Sequence, residues 1–85
     1  MNDMEIRETV RAYILEEFLP GEDPAQLTDE VELFSSGILD SIATLKLVSF
    51  LEERFGIAIA AYEADSHNLN TIESIGRLVA SKRPA

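Results

Sequence analysis

The stretch "LFSSGILDSIATLKLVSFLEERFGI", residues 33–57, contains a turn, a helix start and a helix end in close succession. Asp40 and Ser41 follow the turn and precede apolar residues at helical spacing, so we expect a helix from about Ser41 to Phe55. Gly56 can adopt the left-handed conformation that ends many helices. The stretch leaves two roles open for Ser41: a helix cap shared with Asp40, or a hydroxyl presented for chemistry.

The residues of this predicted helix separate into two sides when they are placed at 100° intervals. We expect the buried side to consist of Thr44, Leu47, Val48, Leu51 and Phe55. The opposite side contains Ile42, Leu45, Lys46, Ser49, Glu52 and Glu53. Ile42 and Leu45 are therefore apolar residues predicted to be exposed, and both lie within about one turn of Ser41.

A first helix is predicted in the segment "MEIRETVRAYILEEFL", residues 4–19, from four apolar residues at i, i+4 spacing. These are Ile6, Val10, Ile14 and Phe18. Asn2 and Glu5 have the spacing of a capping box at its start. Glu16 and Glu17 fall in its last turn, where the helix dipole disfavours negative charge.

Residues 19–40 have no sustained period and predict a long loop, which we expect four apolar side chains to anchor. The candidate anchors are Leu27, Val31, Leu33 and Phe34. A single helical turn is predicted at about 61–66, and a final helix from Asn70, with Glu73 completing a second capping box. Gly76 within that helix predicts a closely packed neighbour. The fold class expected is all-α: a small four-helix bundle of three main helices plus one short helix.

The length of 85 residues predicts a single domain, residues 1–85, too small to hold a substrate cleft between two lobes. This favours a carrier or binding module over a self-contained enzyme. Hydrophobic residues make up 46% of the chain, yet no apolar run approaches the roughly 20 residues of a membrane span. The start "MNDMEIRETV" lacks the pattern of a signal peptide, so we expect a cytoplasmic protein.

Charge and cysteine content restrict the possible partners and chemistry. The net charge is −9, and all of the excess lies before Ser41, where eleven acidic residues accompany two basic ones. This argues against binding to nucleic acid or anionic membranes and favours partners with basic surfaces. Cysteine is absent, so any thiol chemistry requires a thiol from another source.

Catalysis or metal binding by this chain alone has little support. A serine hydrolase needs a base and an oxyanion site, and Ser41 lacks the G-x-S-x-G pattern. The single histidine, His67, falls in a predicted turn, where a solvated side chain is the usual role. Asp65, His67 and Asn70 match neither zinc nor calcium spacing. We therefore predict no catalytic residue and no metal site.

The segment at 33–57, followed by "NTIESIGRLV" at 70–79, resembles the acyl carrier and peptidyl carrier proteins over nearly the whole chain. The resemblance implies that Ser41 carries a 4′-phosphopantetheine arm, attached from coenzyme A by a phosphopantetheinyl transferase. The arm's thiol would hold an acyl or aminoacyl cargo as a thioester. It further implies that Asp40 orients Ser41 and that Ile42, Leu45 and Lys46 contact partner enzymes.

Two positions depart from carriers of fatty acid synthesis, which have acids two and five places after the serine. Here those places hold Ala43 and Lys46. The resemblance then implies a discrete, monomeric carrier loaded by an adenylating or other acyl-activating enzyme and emptied by a downstream synthase, transferase or oxidase. Natural-product or other specialised biosynthesis is the expected pathway. The alternatives are an unmodified helical interaction module of the same fold and a small hydrolase that uses Ser41.

Overall fold

The structure, a computed structural model, describes residues 2–83 and contains four α-helices and no strand in that range. The helices are α1 (Asp3–Phe18), α2 (Ser41–Phe55), α3 (Ser66–Leu69) and α4 (Ile72–Lys82). Two 3₁₀ turns lie at Pro24–Gln26 and Ala61–Glu63. The all-α, four-helix prediction is confirmed, and the residues at the very ends of the predicted domain, 1 and 84–85, lie outside the described range.

Helix α1 begins at the predicted N-cap and buries three of its four predicted apolar residues, whereas Phe18 is only partly buried. Asn2 is the N-cap, and its side-chain oxygen accepts a hydrogen bond from the Glu5 N–H at 2.8 Å. Ile6, Val10 and Ile14 are buried, and α1 packs chiefly against α4. Gly76 of α4 lies at this contact, where an added Cβ would come within 2.9 Å of the Arg7 Cγ. The predicted close neighbour of Gly76 is therefore the stem of Arg7.

The buried side of α2 is rotated slightly from the predicted one. Its buried residues are Ala43, Leu47 and Leu51, whereas Thr44 and Val48 are half-buried. The Thr44 hydroxyl donates to the Asp40 carbonyl oxygen at 2.7 Å, which satisfies it at the helix surface. The prediction was wrong about Thr44. It placed Thr44 on the buried side and omitted Ala43, whose small side chain is the one that fits against the core. Gly56 ends α2 with a φ of 66°, as predicted.

Charged and apolar contacts fix the long loop between α1 and α2 to the bundle. Leu27 and Leu33 are buried as expected, Leu39 is buried as well, and Val31 and Phe34 are partly buried against the core. We call the contacts among Arg7, Arg11 and Asp29 the clasp. The Arg11 guanidinium pairs with Asp29 and donates through Nε to the Leu27 carbonyl oxygen at 2.8 Å. The Arg7 Nε lies 3.6 Å from Asp29, which joins the same loop residue to a second turn of α1.

The entry into α4 differs from the predicted capping box. Thr71 is the N-cap, and its hydroxyl oxygen accepts from the Ser74 N–H at 3.0 Å. Asn70 instead binds the long loop: its Oδ1 accepts from the Phe34 N–H and its carbonyl oxygen from the Leu33 N–H. The prediction of Asn70 as cap was wrong because this long-range contact uses the side chain. The turn predicted at 61–66 is a 3₁₀ turn followed by the separate helix α3.

No helix within residues 2–83 has both the length and the apolar character needed to cross a bilayer.

Candidate functional site

The chain reaches Ser41 through a turn whose backbone is held on both sides. Leu33 and Leu39 are both buried, and the Leu39 N–H donates to the Leu33 carbonyl oxygen at 2.9 Å. Gly37 lies between them with a φ of 84°, a conformation that favours glycine. The hydrogen bond joins the two ends of the turn, and the burial of Leu33 and Leu39 anchors both ends in the core. Together they fix the direction in which the chain enters α2.

Asp40 caps α2, and Ser41 is the first residue inside the helix. The Asp40 Oδ1 accepts from the Ala43 N–H at 2.8 Å, the bond that defines an N-cap side chain. Of the two roles left open for Ser41, the shared cap is not observed, because Asp40 alone supplies the capping oxygen. The Ser41 side chain is left out of the cap.

The Ser41 hydroxyl is exposed, and no residue in the range 2–83 makes a hydrogen bond to it. Over the same range, the backbone N–H groups of Ser41 and Ile42 have no acceptor. Free N–H groups and the helix dipole make a helix N-terminus favourable for an attached phosphate. The position can therefore hold a phosphodiester on Ser41 without displacing any internal contact.

Two of the three residues predicted to contact partners are large, apolar and open to solvent. Ile42 is 67% exposed and Leu45 is 70% exposed. Lys46 is also exposed, and its backbone carbonyl oxygen accepts from the Tyr13 hydroxyl at 3.2 Å. The structure thus places Asp40, Ser41, Ile42, Leu45 and Lys46 within the first two turns of one helix.

Of the two positions that depart from fatty acid carriers, one faces inward. Ala43 is only 7% exposed and belongs to the core, whereas Lys46 lies at the surface. An alanine at position 43 is therefore explained by packing in this chain. The departure at Lys46 places a positive charge in contact with solvent.

The sequence alone did not indicate which residues of α1 lie beside this site. Glu17 and Phe18 line the same depression as Asp40 and Ile42, because the end of α1 lies next to the start of α2. Burial raises the pKa of the Tyr13 hydroxyl, and the negative charge of Glu17 raises it further. The available signal was the pair of acids in the last turn of α1, which the helix dipole disfavours.

His67, the only histidine, is exposed in α3 and makes no hydrogen bond to Ser41. Among residues 2–83, no group of three or more His, Asp or Glu side chains is arranged to hold a metal ion.

Comparison with known proteins agrees with this geometry. The family model described as "Phosphopantetheine attachment site" matches residues 8–79. The D-alanyl carrier protein of Streptococcus suis (strain 05ZYH33) is 38% identical over 72 residues, which are 85% of this chain and 87% of the relative. The D-alanyl carrier protein of Streptococcus sanguinis (strain SK36) is 37% identical over 82 residues, 96% of this chain and 100% of the relative.

A solved structure has the same fold. The apo form of KstB-PCP, a peptidyl carrier protein, superimposes with a TM-score of 0.71 and 28% sequence identity. The alignment covers 99% of this chain and 94% of that one. The sequence match and the shared fold show that the chain belongs to the phosphopantetheine-binding family of carrier proteins.

Proposed function

We propose that this chain is a discrete aminoacyl carrier protein and that Ser41 is the residue to which 4′-phosphopantetheine is attached. The observation that carries the proposal is the exposed Ser41 hydroxyl, which no internal hydrogen bond uses and which lies at the N-terminus of α2. The match to the S. sanguinis relative extends over that whole protein, which supports a carrier of this length.

The attachment step requires one bond to form and one to break. The Ser41 Oγ bonds to the phosphorus that joins pantetheine to the nucleotide in coenzyme A, and the pyrophosphate P–O bond breaks. Adenosine 3′,5′-bisphosphate leaves, and the hydroxyl proton passes to a base on the transferase. On this chain, the Asp40 cap holds the first turn of α2 in place, and the free N–H groups of Ser41 and Ile42 stabilise the new phosphodiester. The arm supplies a thiol that holds the cargo as a thioester.

D-alanine is the cargo that we propose to test first. The names of the two streptococcal relatives support it, and the peptidyl carrier neighbour supports an aminoacyl cargo in general. Loading a free amino acid onto a thiol requires activation of its carboxyl group, so the partners are a transferase for the arm, an ATP-dependent activating enzyme and a downstream enzyme that accepts the cargo. A natural-product pathway with another amino acid or small acyl group is the second possibility for the cargo.

Attachment is tested by intact mass after incubation with coenzyme A and a phosphopantetheinyl transferase of broad carrier range. We expect wild type and Ser36→Ala to gain the mass of one arm and Ser41→Ala to gain none. Ser36 is a matched control because it is an exposed serine in the loop that leads to the same helix. A mass gain in Ser41→Ala would assign the arm to another residue.

No mass gain in any variant would instead favour the unmodified interaction module, in which the acidic loop alone binds partners. Circular dichroism of the same samples establishes that each variant is folded.

The cargo is tested on the modified protein with ATP and an enzyme that activates D-alanine. We expect a further mass gain of one alanyl group with D-alanine, removed by hydroxylamine because the bond is a thioester. L-alanine and acetate serve as matched substrates. Absence of loading by D-alanine on protein whose arm has a free thiol would contradict D-alanine as the cargo.

A further inference from the structure

Asn70 connects the junction between α3 and α4 to the turn that leads to Ser41. Its side-chain Oδ1 accepts a hydrogen bond from the Phe34 N–H at 3.0 Å, and its carbonyl oxygen accepts from the Leu33 N–H at 2.6 Å. One residue therefore binds two adjacent N–H groups of the long loop. The side-chain bond is partly buried, where a hydrogen bond is stronger than in water.

A further hydrogen bond continues from these contacts to the start of α2. The Leu33 carbonyl oxygen accepts from the Leu39 N–H at 2.9 Å. Leu39 directly precedes Asp40, the N-cap of α2, and Ser41 is the next residue. Asn70 is therefore joined through one loop residue to the position where α2 begins.

The side chain of Asn70 fixes the middle of the same turn. Phe34, whose N–H it binds, also accepts a hydrogen bond at its carbonyl oxygen from the Gly37 N–H at 3.1 Å. Gly37 has the left-handed φ of 84° that this turn requires. Without the Asn70 side chain, the Phe34 N–H loses its acceptor, and the turn is joined to the α3–α4 junction only through Leu33.

The two helices that meet at Asn70 do not depend on its side chain. Leu69 and Ile72 on either side are fully buried, and the Thr71 hydroxyl supplies the cap of α4 by accepting from the Ser74 N–H. Within residues 2–83, the bond from Phe34 is the one hydrogen bond of the Asn70 side chain. Its loss should therefore act on the turn before Ser41 and leave α3 and α4 in place.

The earlier part of the long loop is fixed by other contacts. Asp29 belongs to the clasp, and its carbonyl oxygen accepts from the Glu73 N–H at 3.2 Å. None of these bonds involves Asn70. A substitution at Asn70 should consequently loosen the segment 33–40 and not the whole loop.

We propose that Asn70 is a positioning residue for attachment of the arm: it holds the turn before α2 closed and so presents the Ser41 hydroxyl in one orientation. The phosphopantetheinyl transferase must align the Ser41 Oγ with the phosphorus of coenzyme A. If the turn is open in a fraction of the carrier molecules, that fraction cannot bind productively, and the apparent affinity falls accordingly. The proposal rests on the proposed function, because it assumes that Ser41 is the residue modified.

The test compares three variants with wild type, measuring the KM and kcat of arm attachment by intact mass. Asn70→Ala removes the acceptor of the Phe34 N–H, whereas Asn70→Asp keeps an oxygen at the same place. Asn68→Ala is the matched control, because Asn68 is also a half-buried asparagine whose side chain binds another segment. Its Nδ2 donates to the Glu63 carbonyl oxygen at 3.0 Å, in the segment before α3.

We expect Asn70→Ala to raise KM about three- to tenfold, the effect of losing one hydrogen bond, with little change in kcat. The value of kcat is preserved because binding to the transferase closes the turn again. Asn70→Asp and Asn68→Ala should both stay within about twofold of the wild-type KM. Rescue by aspartate and the separation of KM from kcat distinguish positioning from a general loss of stability.

Hydrogen exchange of the unmodified protein gives a second readout that needs no enzyme. The Phe34 amide should exchange about three- to tenfold faster in Asn70→Ala than in wild type, because its acceptor is gone. It should exchange at close to the wild-type rate in Asn70→Asp and Asn68→Ala. The Val10 amide in α1 should be unaffected in all three variants.

A wild-type KM for Asn70→Ala would overturn the proposal, and so would a KM that Asn70→Asp fails to restore. An equal rise in KM for Asn68→Ala would also overturn it, because the effect would then follow from general stability. If circular dichroism shows that Asn70→Ala is unfolded, Asn70→Ser takes its place, since its shorter side chain does not reach the Phe34 N–H. Absence of any modification of wild type contradicts the proposed function instead.

Discussion

Charged side chains near the middle of α1 form ion pairs, whereas those in its last turn form none in the described part of the chain. Nearer its middle, Arg7 and Arg11 belong to the clasp, and their guanidinium groups contact Asp29 of the long loop. In its last turn, Glu16 and Glu17 have no ion pair within residues 2–83, and Glu17 lines a surface depression together with Asp40 and Ile42. The difference teaches that charge near the middle of α1 stabilises the long loop, whereas the acidic side chains at its end have no ion-pair partner in that range.

Helix α2 has a comparable contrast between a buried and an exposed leucine. Substitution of the buried one should have the largest effect on stability. Leu47 is fully buried and Leu45 is 70% exposed, although the two leucines are only two residues apart. We expect Leu47→Ala to lower the free energy of unfolding by about 2–5 kcal/mol, because it leaves a cavity in the core. Leu45→Ala should change it by less than about 0.5 kcal/mol. Urea unfolding followed by circular dichroism measures both, and similar losses would contradict the assignment of the two sides of α2.

Removing the central side chain of the clasp should have the next largest effect. Arg11→Ala removes one of the two arginines that contact Asp29 and leaves the Leu27 carbonyl oxygen without its donor, so we expect a loss of about 1.5–3 kcal/mol. Arg77→Ala is the matched control, because it also removes an arginine from an ion pair, here with Glu73. The side chains of that pair are 73% and 48% exposed, whereas those of Arg11 and Asp29 are 16% and 25% exposed. The control should lose less than about 0.5 kcal/mol.

Hydrogen exchange can show whether the stability lost in Arg11→Ala comes from the long loop. Hydrogen exchange in Arg11→Ala should become faster mainly in the loop around Leu27 and Asp29, since the clasp holds that segment. A uniform increase across all helices, or no increase in the loop, would show that the clasp does not anchor it.

The Glu63 carboxylate should stabilise the protein by a small amount that depends on pH. The hydrogen bond from Lys82 lowers the pKa of Glu63 below its ordinary value of 4.5, and the Ala60 N–H lowers it further. A carboxyl group whose pKa is lowered on folding stabilises the protein above its unfolded pKa, and this stabilisation is lost as the pH falls through the folded pKa. Glu63→Gln should therefore lower the melting temperature at pH 7, and the difference should shrink below about pH 4.5.

The control for Glu63 is Glu30→Gln, which removes an exposed loop carboxylate that has no ion pair in the described part of the chain. Thermal melts between about pH 7 and pH 3 compare the two variants with wild type. A difference for Glu63→Gln that stays constant with pH would show that its ionised carboxylate adds no stability.

Local patterns were sufficient to predict most of the fold. The capping oxygen of Asn2, the glycine end of α2 at Gly56 and the burial of Leu27 and Leu33 depend on residues close in sequence or on hydrophobicity. The exposure of Ile42 and Leu45 followed from the helical period alone.

Contacts between distant segments account for what the patterns did not predict. Asn70 and Thr71 are both good capping residues, and the bond from the Phe34 N–H to Asn70 leaves Thr71 as the cap. Arg11 and Asp29 lie in separate elements, and no periodic pattern links them. The position of Glu17 beside Asp40 and Ile42 likewise depends on how the end of α1 packs beside the start of α2.

The most direct test of the central claim is to locate the arm within the chain by tandem mass spectrometry. Trypsin cleaves after Arg11 and Lys46, so residues 12–46 form one peptide, which contains Thr28, Ser35, Ser36, Ser41 and Thr44. We predict that every fragment containing Ser41 has the mass of the arm and that fragments ending at or before Asp40 do not. An arm found on any other residue of the chain would contradict the account.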